Sequence, residues 1–171
     1  MGPRKYLNSP TKDNKMLIFR MDLSAPPAEA PLRAGTFVIV SGAPGILANF
    51  LTWVENWGLT ETLKVSLKIL TGKRIFFGVL LGKKIVQSGW ANLGFCRHYA
   101  VERDAVVLGP LWTAPDHRGQ GLASAAMRQS MTFLYQRGRR RFYVDTTSGN
   151  RASQRMIEKA GFAERPTHVA F

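Results

Sequence analysis

Short apolar runs rich in β-branched and aromatic residues alternate along the chain with segments whose apolar residues keep helical spacing. The runs predict strands, because such side chains suit a pleated sheet. The predicted strands are 16–21 (a short edge strand), 36–40, 74–81 and 84–95 (a hairpin turning at Gly82 and Lys83), 105–113, 142–144, and a final strand from Phe162. Helical spacing predicts two helices between Ile46 and Leu70 with a break at Gly58, then helices over 121–136 and 151–160. Mixed strands and helices predict an α/β or α+β fold.

Glycine and proline mark the joints between these elements. The stretch 25–31 contains three prolines and predicts a linker, since proline fits neither a helix interior nor a ladder. Gly109 and Pro110 interrupt the predicted strand 105–113, which must therefore bulge, bend or lie open on one side there. The segment 41–45 follows a strand and lacks the lysine of a phosphate-binding P-loop, so we interpret it as a turn.

Length and charge narrow the possible partners. With 171 residues the chain is expected to form one domain over 16–171, preceded by a flexible arm over 1–15. Its 24 Lys and Arg against 11 Asp and Glu give a net charge of +13. A surface this basic favours anionic partners: nucleic acid, anionic membrane or a phosphorylated small molecule.

Cysteine and histidine content exclude two classes of site. The lone Cys96 excludes an intrachain disulfide framework, and three scattered histidines lack the spacing of a zinc site, so no metal is expected. The polar N-terminus is not a secretory signal, and no segment approaches the roughly 20 apolar residues of a membrane span. We therefore expect a soluble, cytoplasmic protein with no membrane insertion.

The segment 113–123 (Thr-Ala-Pro-Asp-His-Arg-Gly-Gln-Gly-Leu-Ala) carries the most chemical information. It puts a glycine-bearing turn between a predicted strand and a predicted helix. Glycines permit positive φ and let backbone N–H groups approach a ligand, while a helix N-terminus and Arg118 add positive charge. These features suit a pyrophosphate; a structural turn without a ligand is the alternative.

Two motifs resemble the GNAT superfamily of acetyl-CoA-dependent N-acetyltransferases. The run 118–123 (Arg-Gly-Gln-Gly-Leu-Ala) fits the family's Arg/Gln-x-x-Gly-x-Gly/Ala signature. Downstream, 150–153 (Asn-Arg-Ala-Ser) and 158–162 (Glu-Lys-Ala-Gly-Phe) resemble its Asn-led helix and Gly-Phe ending. The close resemblance covers about 104–164. It implies a central mixed, mainly antiparallel sheet flanked by helices.

The resemblance also implies roles for individual residues. Backbone groups of Leu111, Trp112 and Thr113 would pair with the pantetheine arm of acetyl-CoA, and an N–H near Leu111 would polarise the thioester carbonyl. Asn150 would bind the pantetheine region with help from Ser153. The pyrophosphate would be held by the loop residues Arg118, Gly119, Gln120, Gly121, Leu122 and Ala123.

The catalytic acid and base are less well marked. The family often has a tyrosine before its Glu-Lys-x-Gly-Phe run to protonate the leaving thiolate, and here Ile157 occupies that place. The resemblance then leaves Tyr143 or solvent as the acid. Glu102 is the candidate base, with Asp104 and His98 as alternatives, although each also suits a solvated or structural position.

The arginine cluster and three tryptophans each have a structural and a functional interpretation. The cluster 137–141 (Arg-Gly-Arg-Arg-Arg) suits a helix C-terminus, or else binds an anionic substrate or the 3′-phosphate of CoA. Trp53, Trp57 and Trp90 either pack in the core or line an acceptor pocket.

The resemblance thus implies an N-acetyltransferase that moves acetyl from acetyl-CoA to a primary amine. The positive net charge favours a small, anionic acceptor, such as an amino-sugar nucleotide or acidic metabolite. Acetylation of a protein N-terminus or lysine is the runner-up. A basic nucleic-acid-binding module and an inactive CoA-binding regulator are alternatives from other classes, and the first is disfavoured because the arginine cluster lacks interleaved aromatics. The sequence leaves open whether the protein forms a homodimer.

Overall fold

The computed structural model describes residues 15–28, 30–162 and 167–169. The predicted arm therefore lies almost wholly outside the described residues. In chain order the elements are β1 (Met16–Asp22), β2 (Thr36–Val40), α1 (Gly42–Trp57), α2 (Leu59–Leu70), β3 (Arg74–Leu81), β4 (Lys84–Leu93), β5 (Val106–Thr113), α3 (Leu122–Gln136), β6 (Arg141–Thr147), α4 (Arg151–Lys159) and β7 (Thr167–Val169). A single 3₁₀ turn, Pro115–His117, precedes α3.

The described strands form one mixed sheet in the order β2-β3-β4-β5-β6-β1-β7. Neighbouring strands are antiparallel except β5 and β6, which run parallel and pair Val106–Leu108 with Phe142–Val144. The prediction of a mixed, mainly antiparallel sheet flanked by helices is confirmed. The predicted hairpin and all four predicted helices are also present.

Two sequence-based assignments were wrong. The first strand is not an edge strand, because β1 pairs with β6 on one side and β7 on the other. Its first four residues, 16–19, are all buried and apolar, the pattern of a strand covered on both faces rather than of an exposed edge. The segment 41–45 is not a free turn: α1 begins at Gly42, and Pro44 lies in its first turn, where a missing N–H costs nothing.

The sheet has a separate apolar layer on each face. Phe76 and Phe77 are adjacent in β3 and point to opposite faces, as strand geometry requires. Phe77 belongs to the core under α3 and α4, together with Leu108, Phe142 and Met127. Phe76 belongs to the core under α1 and α2. We call these the α3 face and the α1 face of the sheet.

Three of the four tryptophans surround Phe76 on the α1 face. Ring centroids of Trp53, Trp57 and Trp90 lie 5.3, 5.5 and 5.7 Å from that of Phe76, in edge-to-face contacts typical of aromatic packing. Trp53 is fully buried, whereas Trp57 and Trp90 are partly exposed. Core packing is therefore the main role of this cluster.

Phe19 tests whether β1 is an integral strand of the sheet. Its side chain is 2% exposed in the core of the α3 face, so Phe19→Ala should lower the free energy of unfolding by about 3–5 kcal/mol. Leu51→Ala, at a position 76% exposed on α1, should change it by less than about 0.5 kcal/mol. Urea denaturation measures both, and equal small effects would contradict the placement of β1.

Candidate functional site

The two parallel strands of the sheet separate halfway along β5. Within the described chain their pairing ends at Leu108 and Val144, and beyond that point β5 pairs only with β4. Gly109 has φ +140° and is joined to Pro110 by a cis peptide bond. Since Pro110 has no N–H to donate, a strand passing through it cannot keep a regular ladder. The result is an opening between β5 and β6, bordered by residues 111–113.

Asn92 on β4 holds the backbone where this opening begins. Its Nδ2 atom donates to the carbonyl of Val107 at 3.2 Å and to that of Gly109 at 2.8 Å. One side chain thereby satisfies two carbonyls next to the point of separation. The irregularity is consequently a well-bonded part of the fold rather than a frayed strand end.

The glycine loop leads from β5 into the N-terminus of α3. Gly119 has φ +76°, and Gly121, the N-cap of α3, has φ +79°. Arg118 Nε donates to the carbonyl of Thr113 at 3.2 Å and fixes the loop to the end of β5. Among the described residues, no protein group accepts a hydrogen bond from the backbone amides of 119–124. Backbone amides without protein partners at the start of a helix are an arrangement that suits an anion such as a phosphate.

A cavity of about 250 Å³ adjoins this loop, and basic side chains line it. Arg33 comes from the linker before β2, Arg128 from α3 and Lys159 from the end of α4. The Nε atom of Arg128 is buried without a hydrogen-bond partner among the described residues. A buried, unpaired guanidinium N–H is costly unless a ligand accepts from it. The cavity is therefore suited to phosphate groups.

None of these three cations was among the site residues predicted from the sequence. Arg128 follows Gly121 by seven residues, or about two helical turns, so a search along the face of α3 above the loop would have found it. Arg33 and Lys159 have no such signal, because only the folded chain brings the linker and the end of α4 to the loop.

Asn150 and Ser153 meet at the N-terminus of α4. The Asn150 Oδ1 atom accepts from the Ser153 backbone amide at 3.1 Å, which makes Asn150 a helix cap. Gln154 on the same turn donates to the carbonyls of Thr147 and Ser148 at 3.0 and 2.8 Å. Since β6 ends at Thr147 and runs parallel to β5, this cap lies at the same edge of the sheet as the opening.

Tyr143 and Glu102 are brought into direct contact. The Tyr143 hydroxyl donates to Glu102 Oε2 at 3.0 Å, and Arg141 Nη1 lies 3.1 Å from Glu102 Oε1. A hydrogen bond within Glu102, from its own backbone amide, lowers the pKa of its carboxyl, and the Tyr143 hydroxyl and nearby Arg141 and Arg20 lower it further. Burial and the bond to Glu102 raise the pKa of Tyr143. A carboxylate held ionised is a weak base, and a phenol with a raised pKa is a weak acid.

A second tyrosine–carboxylate pair lies on the same face and was missed by sequence analysis. The Tyr99 hydroxyl donates to Asp145 Oδ2 at 3.1 Å, and the ring centroids of Tyr99 and Tyr143 are 6.2 Å apart. Burial raises the pKa of Asp145, although the bond from Tyr99 and the charge of His98 oppose this. An aspartate following the apolar residues of β6 is unusual within a strand, and that was the signal in the sequence.

The arginine cluster 137–141 lies at the opposite end of α3 from the glycine loop. Fifteen helical residues separate the two ends by about 22 Å. Arg137 lies 3.4 Å over the Phe133 ring and Arg140 lies 3.7 Å over the Tyr135 ring. These contacts favour the structural interpretation of the cluster over a role beside the loop.

Two further observations concern metals and membranes. In the described parts of the chain, no group of three His, Cys, Asp or Glu side chains is arranged to hold a metal ion. No helix within those ranges is long and apolar enough to cross a membrane.

The sequence matches one family model. Residues 49–162, two thirds of the chain, match the acetyltransferase (GNAT) family. The chain therefore belongs to the GNAT acetyltransferase family, as the signature loop and the Asn-led helix indicate. No curated protein matches it.

Solved structures share the fold at low sequence identity. A GNAT-family acetyltransferase from Colwellia psychrerythraea is 22% identical with a TM-score of 0.58, and 91% of this chain covers 56% of that one. A GCN5-related N-acetyltransferase from Sphaerobacter thermophilus is 16% identical with a TM-score of 0.61, covering 91% of this chain and 49% of that one. The aminoglycoside N-acetyltransferase AAC(6′)-Iy in complex with CoA is 17% identical with a TM-score of 0.58, covering 80% and 97%. The chain thus spans about half the length of the first two relatives.

Arg141 allows a test of the ion-pair cluster. It bonds Asp22 at 3.0 Å as well as Glu102. Burial alone would raise the pKa of Asp22, but bonds from Arg141 and Arg20 outweigh it and lower that pKa. Carboxyls whose folded pKa is lowered stabilise the fold above their unfolded pKa, near pH 4, and lose that contribution as the pH falls through the folded pKa.

Arg141→Gln should therefore be less stable than the wild type at pH 7, and the difference should shrink toward about pH 3. Arg137→Gln removes a charge that contacts a ring instead of a carboxylate, so its difference should not depend on pH in this way. Urea denaturation across this pH range measures both variants. A constant deficit in Arg141→Gln would contradict the assigned role.

Proposed function

We propose that this protein is an N-acetyltransferase that moves acetyl from acetyl-CoA to a primary amine of a small, anionic acceptor. The observation that carries the proposal is the set of unpartnered backbone amides over 119–124, which lies beside the opening between β5 and β6. Membership of the GNAT family and the CoA complex of AAC(6′)-Iy support it.

The residues present fit the phosphate groups of CoA. The amides of Gly119 to Ala123 suit the pyrophosphate, and Arg118 retains guanidinium N–H groups beyond the one bonded to Thr113. Arg33, Arg128 and Lys159 line the adjoining cavity and would neutralise the remaining phosphate charge. This assignment replaces the arginine cluster 137–141 as the site for the 3′-phosphate.

The opening between the strands fits the pantetheine arm. Leu111, Trp112 and Thr113 lie in the part of β5 that does not pair with β6. Their backbone groups on that side would bond the arm like an added strand. Asn150 and Ser153 lie at the same edge, where they would contact the arm's amides. The thioester would then enter the opening near Leu111, whose N–H would stabilise the developing oxyanion.

Transfer requires a neutral amine, which attacks the thioester carbon directly. The new C–N bond forms, the C–S bond breaks, and the CoA thiolate takes a proton from solvent. Ile157 is 1% exposed within the core of the α3 face, so the position where relatives often place a tyrosine acid offers no proton. A thiol has an ordinary pKa of about 8.5, so its thiolate leaves readily without a protein acid.

A cation cluster on the α1 face supports an anionic acceptor. Burial lowers the pKa of Lys68 and the nearby Arg74 charge lowers it further; burial and the Arg97 charge likewise lower the pKa of Arg74. Lys68, Arg74 and Arg97 form no salt bridge with a described carboxylate. Such crowded cations favour a bound phosphate or carboxylate. Acetylation of a protein N-terminus or lysine remains the second candidate.

Gly121→Val tests the cofactor site. A β-branched side chain at φ +79° would block the amides and strain the loop, so CoA affinity measured by calorimetry should fall at least about tenfold. Gly138→Val is a matched control, because Gly138 has φ +83° with open space around it at the other end of α3. Equal CoA affinities in the two folded variants would contradict the assignment.

Arg74→Gln tests the anionic acceptor. With acetyl-CoA, the variant should show a KM for glucosamine 6-phosphate raised several-fold and less sensitive to salt, whereas the KM for glucosamine should hardly change. Arg103→Gln makes the same charge change at an exposed loop position and should leave both constants near wild type. Equal losses for both sugars would contradict recognition of the phosphate.

A further inference from the structure

We propose that Asp145 is the catalytic base of this site: its carboxylate receives the acceptor's ammonium group on the α1 face and removes one proton before attack. Tyr99 is the positioning residue that orients this carboxylate. The proposal rests on the proposed function, since it names the group that makes the acceptor amine neutral.

Asp145 lies where β6 separates from β5. Asp145 directly follows Val144, the last residue of β6 that pairs with β5. Side chains alternate along a strand, and Val144 belongs to the core of the α3 face, so Asp145 points to the α1 face. The carboxylate thus borders the opening from the side opposite the glycine loop. An acceptor entering there would meet the thioester without crossing the CoA site.

The Asp145 carboxylate has polar neighbours from three parts of the fold. On the α1 face it is approached by Tyr99, which donates to it at 3.1 Å, and by His98 on the same loop. Tyr143 is the titratable neighbour on β6 and Arg20 the charged one on β1, where Ile18 pairs with Asp145. Arg20 forms its ion pairs with Asp22 and Glu102, so in the described chain no cation forms a salt bridge with Asp145.

Glu102, the base predicted from the sequence, is bonded differently from Asp145. Glu102 is paired with Arg141 and accepts a hydrogen bond from the Tyr143 hydroxyl, and these contacts hold it ionised. Asp145 is half-buried and bonded by one neutral hydroxyl, and burial raises its pKa. A base works best when its pKa approaches the working pH, so Asp145 is the better proton acceptor.

The proton balance is complete without a protein acid. Asp145 takes one proton from the ammonium group, and the freed lone pair attacks the thioester carbon. The C–S bond then breaks, solvent protonates the thiolate, and the second nitrogen proton leaves to solvent. Asp145 finally returns its proton to solvent, so each turnover releases one proton.

Asp145→Asn is the direct test, because asparagine keeps the shape and can still accept from Tyr99. With acetyl-CoA and glucosamine 6-phosphate, kcat/KM at pH 7 should fall about a hundredfold or more. The deficit should shrink at alkaline pH, and it should be small with O-methylhydroxylamine, a weakly basic amine already neutral at pH 7. Glu55→Gln, the same loss of charge at an exposed carboxylate of α1, should keep wild-type rates at every pH.

Tyr99→Phe separates positioning from packing. Because the hydroxyl bond lowers the pKa of Asp145, its loss should move the midpoint of the rate–pH profile upward while leaving the alkaline plateau largely intact. A merely structural role would lower the whole profile without moving its midpoint.

Two measurements make the outcome decisive. Calorimetry with CoA should give the same affinity for wild type and Asp145→Asn. Failure of the wild type to bind CoA would contradict the proposed function, whereas normal CoA binding with a wild-type rate in the variant would contradict the role of Asp145. In protein labelled at aspartate carboxyls, saturating glucosamine 6-phosphate should shift the Asp145 signal in NMR spectra. The proposal is overturned if that signal does not move, or if Asp145→Asn keeps wild-type kcat/KM at pH 7.

Discussion

The whole site depends on one constraint: the ladder between two parallel strands stops halfway. Pro110 has no N–H to donate, and β5 separates from β6 after Leu108. Asn92 donates to the carbonyls of Val107 and Gly109, so neither is left without a hydrogen bond at this point. A regular seven-stranded sheet would be impermeable between its faces. Here the interruption creates a passage, and both halves of the proposed chemistry are arranged around it.

The two faces of the sheet separate two kinds of charge. On the α3 face, free amides and the cations Arg33, Arg128 and Lys159 suit phosphates. On the α1 face, the Asp145 carboxylate follows the last residue of β6 that pairs with β5 and accepts a bond from Tyr99, a position that would suit an ammonium group. The net charge of +13 does not determine the electrostatic potential at either site, because that potential depends on which side chains each face presents.

Local signals in the sequence predicted much of the architecture. Apolar spacing located the helices, and the glycine pattern 118–123 located the loop, because both are encoded within a few neighbouring residues. The edge assignment of β1 failed because pairing partners lie far away in the chain, although the unbroken apolar run 16–19 pointed to an internal strand. Tyr99 and Arg33 escaped notice for the same reason, since each acquires its role only from neighbours supplied by other elements. Asp145 carries a local signal, a carboxylate within an apolar strand, but its partner Tyr99 lies 46 positions away in the chain.

The placement of β1 has a consequence for how the chain folds. Met16 pairs with Thr147, 131 positions later, and the described contacts of β7 within the sheet are all with β1. On a ribosome the first strand must therefore wait until nearly the entire sheet has been synthesised, and the last strand cannot dock before the first has done so. Closing such a long loop is slow relative to local pairing. The apolar run of β1 remains unpaired throughout that interval, so it is exposed to aggregation during synthesis.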